Sequence, residues 1–231
     1  RKKNERTSAA EDFDDQIAGF IRWAAAVDMV KVEWFWKHRL ARGMLHLLGG
    51  TPGTGKSTIA FTWAAAISAG GPFPDGVVAP KGKVLIWSGE DSYEATIKPR
   101  LAAAGADMNN IGFLNQPRET KDGGKVDFNP AIHLPALIKE IELMPKGEIV
   151  MLIIDPIVTM IGSGDNNSTS EVRAALAPLV AMLEKLNIIG LGIMHFTKGS
   201  ENKDPKERFN GSSGYIALAR VGFATVKDQN E

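Results

Sequence analysis

One short stretch constrains this chain more than any other: Gly50, Thr51, Pro52, Gly53, Thr54, Gly55, Lys56, Ser57, Thr58. It fits the pattern G-x-x-x-x-G-K-[ST], and its surroundings fit as well. "MLHLLGG" (44–50) before it reads as a buried strand. "KSTIAFTWAAAISAGG" (56–71) after it reads as a helix. A glycine-rich turn between strand and helix lets backbone N–H groups point inward around a phosphate chain. The helix start adds unpaired N–H groups and the positive end of its dipole. Lys56 is the candidate contact to β- and γ-phosphates. The Ser57 hydroxyl is a candidate Mg²⁺ ligand. Residues 50–58 are together the candidate nucleotide-binding set.

The rest of the chain alternates strand and helix. Strands are expected at 83–89, 110–115, 148–155, 188–196 and 221–228. Helices are expected at 93–106, kinked or split at Pro99, at 135–144, and at 170–187 with Ser170 as N-cap. Continuous apolar strands separated by helices imply a parallel sheet covered on both faces, hence an α/β fold. Ahead of this core, residues 11–28 carry Phe13, Ile17, Phe20, Ile21, Ala24 and Val27 at helical spacing. An amphipathic helix is expected there. The expected organisation is a charged N-terminal segment with that helix over 1–31, then a core over 32–231. Trp34, Phe35 and Trp36 are expected to pack on the edge of the main sheet.

Composition removes several function classes. Lys plus Arg (27) equals Asp plus Glu (27), so no global field draws nucleic acid or anionic membrane. No apolar run approaches the length of a membrane span. The chain has no cysteine. That excludes disulfides, thiolate metal sites and thiol nucleophiles, and it fits an expected cytoplasmic location.

A phosphate loop of this kind needs an acid for Mg²⁺. "IVMLIIDP" supplies Asp155 at the end of an apolar run. The guanine-reading pattern [N/T]-K-x-D fails at "TKGS", where Ser200 stands in the Asp position. D-x-x-G fails too, because Pro-Ile-Val follows Asp155. Both failures argue against a GTPase. Pro156 also stands where many ATPases carry a water-polarising glutamate, so a hydrolytic base must come from elsewhere. "KVLIWSGEDS" (83–92) ends in two acids. Asp91 and Glu94 have D-x-x-E spacing, so Asp91 is expected to cap the next helix. Glu90 has no such local task. It should emerge at the same sheet edge as the phosphate loop and Asp155.

The series "GGTPGTGKST", "VLIWSGEDS", "VMLIIDP", "GIMHFTK" and "GSSGYIALAR", in that order, resembles the RecA-like ATPases. More narrowly it is similar to the RepA-type hexameric replicative helicases of plasmids and related ATPases of phages and mobile elements. The resemblance runs from about Trp34 to the last residue. The phosphate loop alone is generic, whereas the five-motif series is much more specific. It implies a three-layer fold with a mostly parallel central sheet, and ATP and Mg²⁺ as cofactors. It implies Glu90 as catalytic base. It puts strand 188–196 between the phosphate-loop strand and the Asp155 strand, with His195 beside the γ-phosphate as a sensor. It makes Arg220 an arginine finger reaching a neighbouring subunit, with Arg208 and Lys198 as fallbacks. A ring-shaped homo-oligomer, a hexamer, and single-stranded DNA are the implied partners. Taken without the family, His195 is equally a strand-end histidine facing solvent, and Arg220 a surface arginine or local ion pair.

Support for DNA from the residues themselves is thin. "TKGSENKDPKERFNGSSG" (197–214) mixes Lys198, Lys203, Lys206 and Arg208 with Glu201, Asp204 and Glu207. "GSGDNNSTS" (162–170) has no basic residue, and neither loop interleaves aromatic residues for base stacking. Two readings therefore stand: an ATP-driven DNA translocase or helicase of replication, and an ATPase switch of recombination or regulation without processive unwinding. A nucleotide-binding module that has lost hydrolysis is opposed by the set Lys56, Ser57, Glu90 and Asp155.

Overall fold

A computed structural model describes residues 21–114, 130–162, 164–197, 208–209 and 213–226. The chain divides between Val32 and Glu33 into two units. In the first, residues 21–32 hold one 3-10 turn, Ala24–Ala26. This corrects the expected amphipathic helix over 11–28, of which 11–20 lie outside the described residues. Short helices gain most of their stability by burying an apolar face. Here Ile21, Trp23 and Val27 are all exposed, so that gain is missing.

The second unit opens with a small antiparallel hairpin, β1 (Trp34–Trp36) and β2 (Leu40–Ala41). The core follows: β3 (Leu45–Gly50), α1 (Lys56–Ala69), β4 (Lys83–Ser88), α2 (Lys98–Ala103), β5 (Ile111–Phe113) and α3 (Pro130–Glu142). Then come β6 (Ile149–Asp155), α4 (Thr169–Leu186), β7 (Ile189–His195), α5 (Ser213–Leu218) and β8 (Ala219–Thr225). β3 to β8 make one sheet in the order β5-β4-β6-β7-β3-β8, and every pairing is parallel. β7 therefore does lie between β3 and β6, as the resemblance implies.

The strands are apolar without interruption because both faces are covered. Alternation divides their side chains between two cores. Leu152 and Ile154 face one cluster with Leu137 of α3 and Leu176, Leu179 and Leu183 of α4. Met151 and Ile153 face the other, with Phe61, Trp63 and Ile67 of α1 and Leu101 of α2. Three layers result, α3/α4 on one side and α1/α2 on the other.

Several boundaries move. α3 starts at Pro130 rather than Pro135, which lies inside it. Both prolines suit a helix start, and the first one is used. The segment expected as a helix over 93–106 is split as expected, into a wide π-type turn (Tyr93–Ile97) and α2. The N-cap of α4 is Ser168, whose hydroxyl accepts from Glu171 N–H, rather than Ser170. A 3-10 segment, Ile157–Ile161, and helix α5 were not expected.

The aromatic residues of the hairpin pack over the α1 layer more than on the sheet edge. Trp36 stacks on Phe73 with centroids 4.1 Å apart and meets Trp63 edge-on at 5.6 Å. Its indole N–H donates to Asp75 at 2.9 Å, and Asp75 also pairs with Arg39 at 3.1 Å. His46 ties the hairpin to the sheet from β3. It is fully buried, its Nε2 accepting from Ala41 N–H at 3.0 Å. That leaves the proton on Nδ1, which donates to Gly190 O at 3.1 Å. Burial pushes the imidazole below its ordinary value, against the pull of the Gly190 and Met44 carbonyls.

The sign follows from linkage. A histidine with a lowered folded-state pKa takes up its proton more readily when unfolded. Stability is therefore intact above the ordinary histidine value and is lost as pH falls through and below it. The urea midpoint should fall on going from about pH 7.5 to about pH 5.5, and His46→Gln should flatten that slope. Equal slopes in the two proteins would rule His46 out as its source.

Candidate active site

Parallel pairing brings the carboxyl ends of the strands to one edge. Gly50 of β3 is in register with His195 of β7 and with Thr225 of β8. Ser88 of β4 is in register with Asp155 of β6. The loop Thr51–Gly55 leaves β3 at this edge and returns as α1. It turns through two left-handed residues, Gly53 (φ 78°) and Gly55 (φ 79°), a conformation that side chains with a Cβ avoid. Gly55 caps α1 with no side-chain bond, so the first N–H groups of the helix have no local side-chain acceptor.

Lys56, the first residue of α1, is 6% exposed and its ammonium donates to Thr51 O at 3.0 Å. Burial pulls its pKa down, against the attraction of Asp155 and Glu90. One residue on, Ser57 Oγ donates to Asp155 Oδ2 at 2.7 Å. Burial raises the Asp155 pKa, and the charges of Glu90 and Asp91 raise it further. The Ser57 hydrogen bond and Lys56 pull the other way. The site is therefore a cation-poor pocket of carboxylates facing one buried ammonium. Thr58 continues α1, and its carbonyl accepts from Thr62 Oγ1 within the helix.

Glu90 lies just past β4 and is exposed. Its charge reaches both Lys56 and Asp155. The turn that carries it is stitched to β6, with Gly89 N–H donating to Asp155 O at 2.9 Å. Tyr93 steadies the same turn. Its hydroxyl donates to Leu114 O at 2.6 Å and accepts from Ser88 N–H at 3.2 Å, while its ring stacks on Phe113. Nothing in residue spacing marks Tyr93 for this work.

The cap assignment needs correction. Ser92, not Asp91, caps the helical turn: its Oγ accepts from Ala95 N–H at 3.1 Å and donates to Glu94 at 3.0 Å. Asp91 N–H is engaged by Ser88 Oγ at 3.0 Å, which keeps Asp91 in the turn beside Asp155. D-x-x-E spacing mistook the turn for the helix start by one residue.

His195 ends β7 next to Gly50. It is half-buried, and its Nδ1 is buried with no hydrogen-bond partner among the described residues. Beyond it, Phe196 N–H donates to Gly50 O at 3.1 Å, and Phe196 bridges to Phe209. Arg208 lies over the Phe196 ring at 5.8 Å, on this edge of the sheet. Arg220 does not join the cluster. It is exposed near the start of β8, where Ala219 pairs with Leu45, while the phosphate loop is at the far end, where Thr225 pairs with Gly50. Its guanidinium lies 5.9 Å from the centroid of Trp34. Lys198 and loop residues 198–207 lie outside the described residues. Among those described, no helix is long and apolar enough to cross a membrane.

A family model described as an AAA domain matches residues 16–201. The chain belongs to this AAA-domain family. Its fold is the RecA-like P-loop ATPase fold. The ATPase domain of a replicative helicase is a similar solved structure, at 14% identity and a TM-score of 0.60. The match covers 99% of this chain and 86% of that one. No curated protein sequence matches the chain. Matching solved chains number 491, so the fold alone selects no substrate and the site residues must.

Ser92→Ala should cost about 1 kcal/mol in chemical unfolding, the usual loss for a removed N-cap. Asp91→Ala should cost clearly less. The reverse order would restore Asp91 as the cap.

Proposed function

We propose that this AAA-domain chain hydrolyses ATP with Mg²⁺ and, as a ring of copies, couples hydrolysis to movement along single-stranded DNA in replication, like the RepA-type helicases it resembles. The observation that carries this reading is the convergence of Lys56, the Ser57–Asp155 pair, Glu90 and His195 on one sheet edge beside an open helix start. The donor set suits a hard cation, since a hydroxyl and a carboxylate are oxygen ligands of the type Mg²⁺ takes. Bound there, Mg²⁺ would neutralise phosphate charge and bridge the β- and γ-phosphates.

The chain's own residues divide the remaining work. N–H groups of Thr51–Ser57 cradle the phosphates. Lys56 leaves Thr51 O and contacts the β- and γ-phosphates, an exchange favoured because burial has already weakened the hold of its proton. Glu90 accepts a proton from the attacking water. Its exposed carboxylate stays ionised at neutral pH and needs no local helix bond. His195 Nδ1 has an unused hydrogen bond to offer a phosphate oxygen, which suits a residue that senses the γ-phosphate. Arg220 stands at the wrong end of β8 to serve its own chain, so a finger role requires the site of a neighbouring copy.

The balanced charge of the chain and the absence of stacking residues in the two polar loops favour a second reading, an ATPase switch of recombination or regulation. ATPase rate with and without single-stranded DNA separates the two. Stimulation supports the motor, and an unchanged rate on an assembled sample supports the switch.

Two substitutions test the roles. Glu90→Gln should lower turnover by roughly 10²–10⁴-fold while ATP still binds. Wild-type turnover in that variant would remove Glu90 as base. Arg220→Ala should lower turnover by about 10³-fold or more. Mixing it with Lys56→Ala subunits should restore part of the rate, because each supplies what the other lacks. A mixture as inactive as its components counts against action between copies.

A further inference from the structure

The geometry points to Thr225 as a positioning residue for the phosphate loop: its hydroxyl holds Thr54, which keeps the Thr51 carbonyl bonded when Lys56 leaves it. This rests on the nucleotide-binding reading above, but on none of the roles given to Glu90, His195 or Arg220.

Thr225 is the last residue of the edge strand β8 and is 8% exposed. Its Oγ1 lies 2.6 Å from Thr54 Oγ1 and 3.3 Å from Gly49 O. Thr54 Oγ1 donates to Thr51 O at 2.8 Å. Each hydroxyl has one proton to give. Thr54 has spent its proton on Thr51 O, so the 2.6 Å contact is donated by Thr225. The result is a directed relay from Thr225 to Thr54 to Thr51 O. That carbonyl also accepts from Lys56 at 3.0 Å, so it is the point where relay and lysine meet.

The consequence appears when the site works. Lys56 cannot reach phosphate and stay on Thr51 O. Without the relay its departure would strand a carbonyl inside the loop, and a stranded polar group opposes the change. With the relay, Thr51 O keeps a donor throughout. The relay also fixes the turn between Thr51 and Thr54, the part of the loop whose N–H groups surround the anion. Gly50 fits the same account. A Cβ there would overlap Thr225 Oγ1, so the strand pair closes this tightly only around a glycine.

Thr225→Val keeps the shape and removes the donor, and Thr225→Ser keeps the donor and removes the methyl group. Thr225→Val should weaken ATP binding and raise KM about tenfold, the usual scale of one lost hydrogen bond. kcat should change by less than about twofold, because Thr225 touches no reacting group. Thr225→Ser should restore both constants. In nucleotide-free protein, amide exchange over residues 51–55 should quicken in the Val variant and return to the wild-type rate in the Ser variant. Wild-type loop exchange in Thr225→Val overturns the proposal, as does a Ser variant as impaired as Val. Failure of the wild-type chain to bind ATP would instead overturn the functional reading, and the exchange experiment would still decide the role of Thr225.

Discussion

The parallel register of six strands is the constraint on which the rest depends. Strands of one direction deliver all their carboxyl ends to one edge, so residues far apart in the chain meet there without any loop reaching across. Gly50, Ser88, Asp155, His195 and Thr225 are all positions of this kind. Their alignment is enforced by burial. A strand slipped by one residue would turn every core side chain of that strand to the other face. The two cores on either side of the sheet thus hold the chemistry in place, although neither contains a reacting group.

The electrostatics of the edge make sense as an incomplete arrangement. A buried ammonium whose proton is loosened by burial lies beside an aspartate whose pKa is raised by burial and by two neighbouring acids. Lys56 and Ser57 each make one internal bond, to Thr51 O and to Asp155. An arriving anion would stabilise the ammonium, and a cation would stabilise Asp155. Each lowers the cost of the charge it meets, and a metal-bound polyphosphate brings both signs together.

The amino-acid pattern made the main elements legible because they carry strong local signals. The loop glycines, the apolar run ending at Asp155 and the exposed Glu90 follow from backbone freedom and burial alone. The position of β7 between β3 and β6 came from the resemblance, since strand order leaves no mark in spacing. What stayed hidden were choices between equivalent neighbours and contacts across the fold. Ser92 and Asp91 both suit a cap, and the Ser88 hydroxyl on Asp91 N–H decides between them. Tyr93 and Thr225 act through partners 21 and 171 residues away. The N-terminal segment shows the opposite failure. Its apolar spacing is real over 21–28, but spacing is no substitute for a surface to pack on.

The pairing of β8 with β3 is not uniform, and the place where it breaks matters. Leu45 pairs with Ala219 and His46 with Val221, so Arg220 is one residue more than β3 can match. An extra residue of this kind leaves the ladder locally and re-aims its side chain. From His46 to Gly50 the two strands then run in step, ending on Thr225. The two ends of β8 are thereby insulated from each other. The backbone at Arg220 can yield to whatever meets it, and the in-step ladder beyond stops that give from reaching the threonine that closes on the phosphate loop.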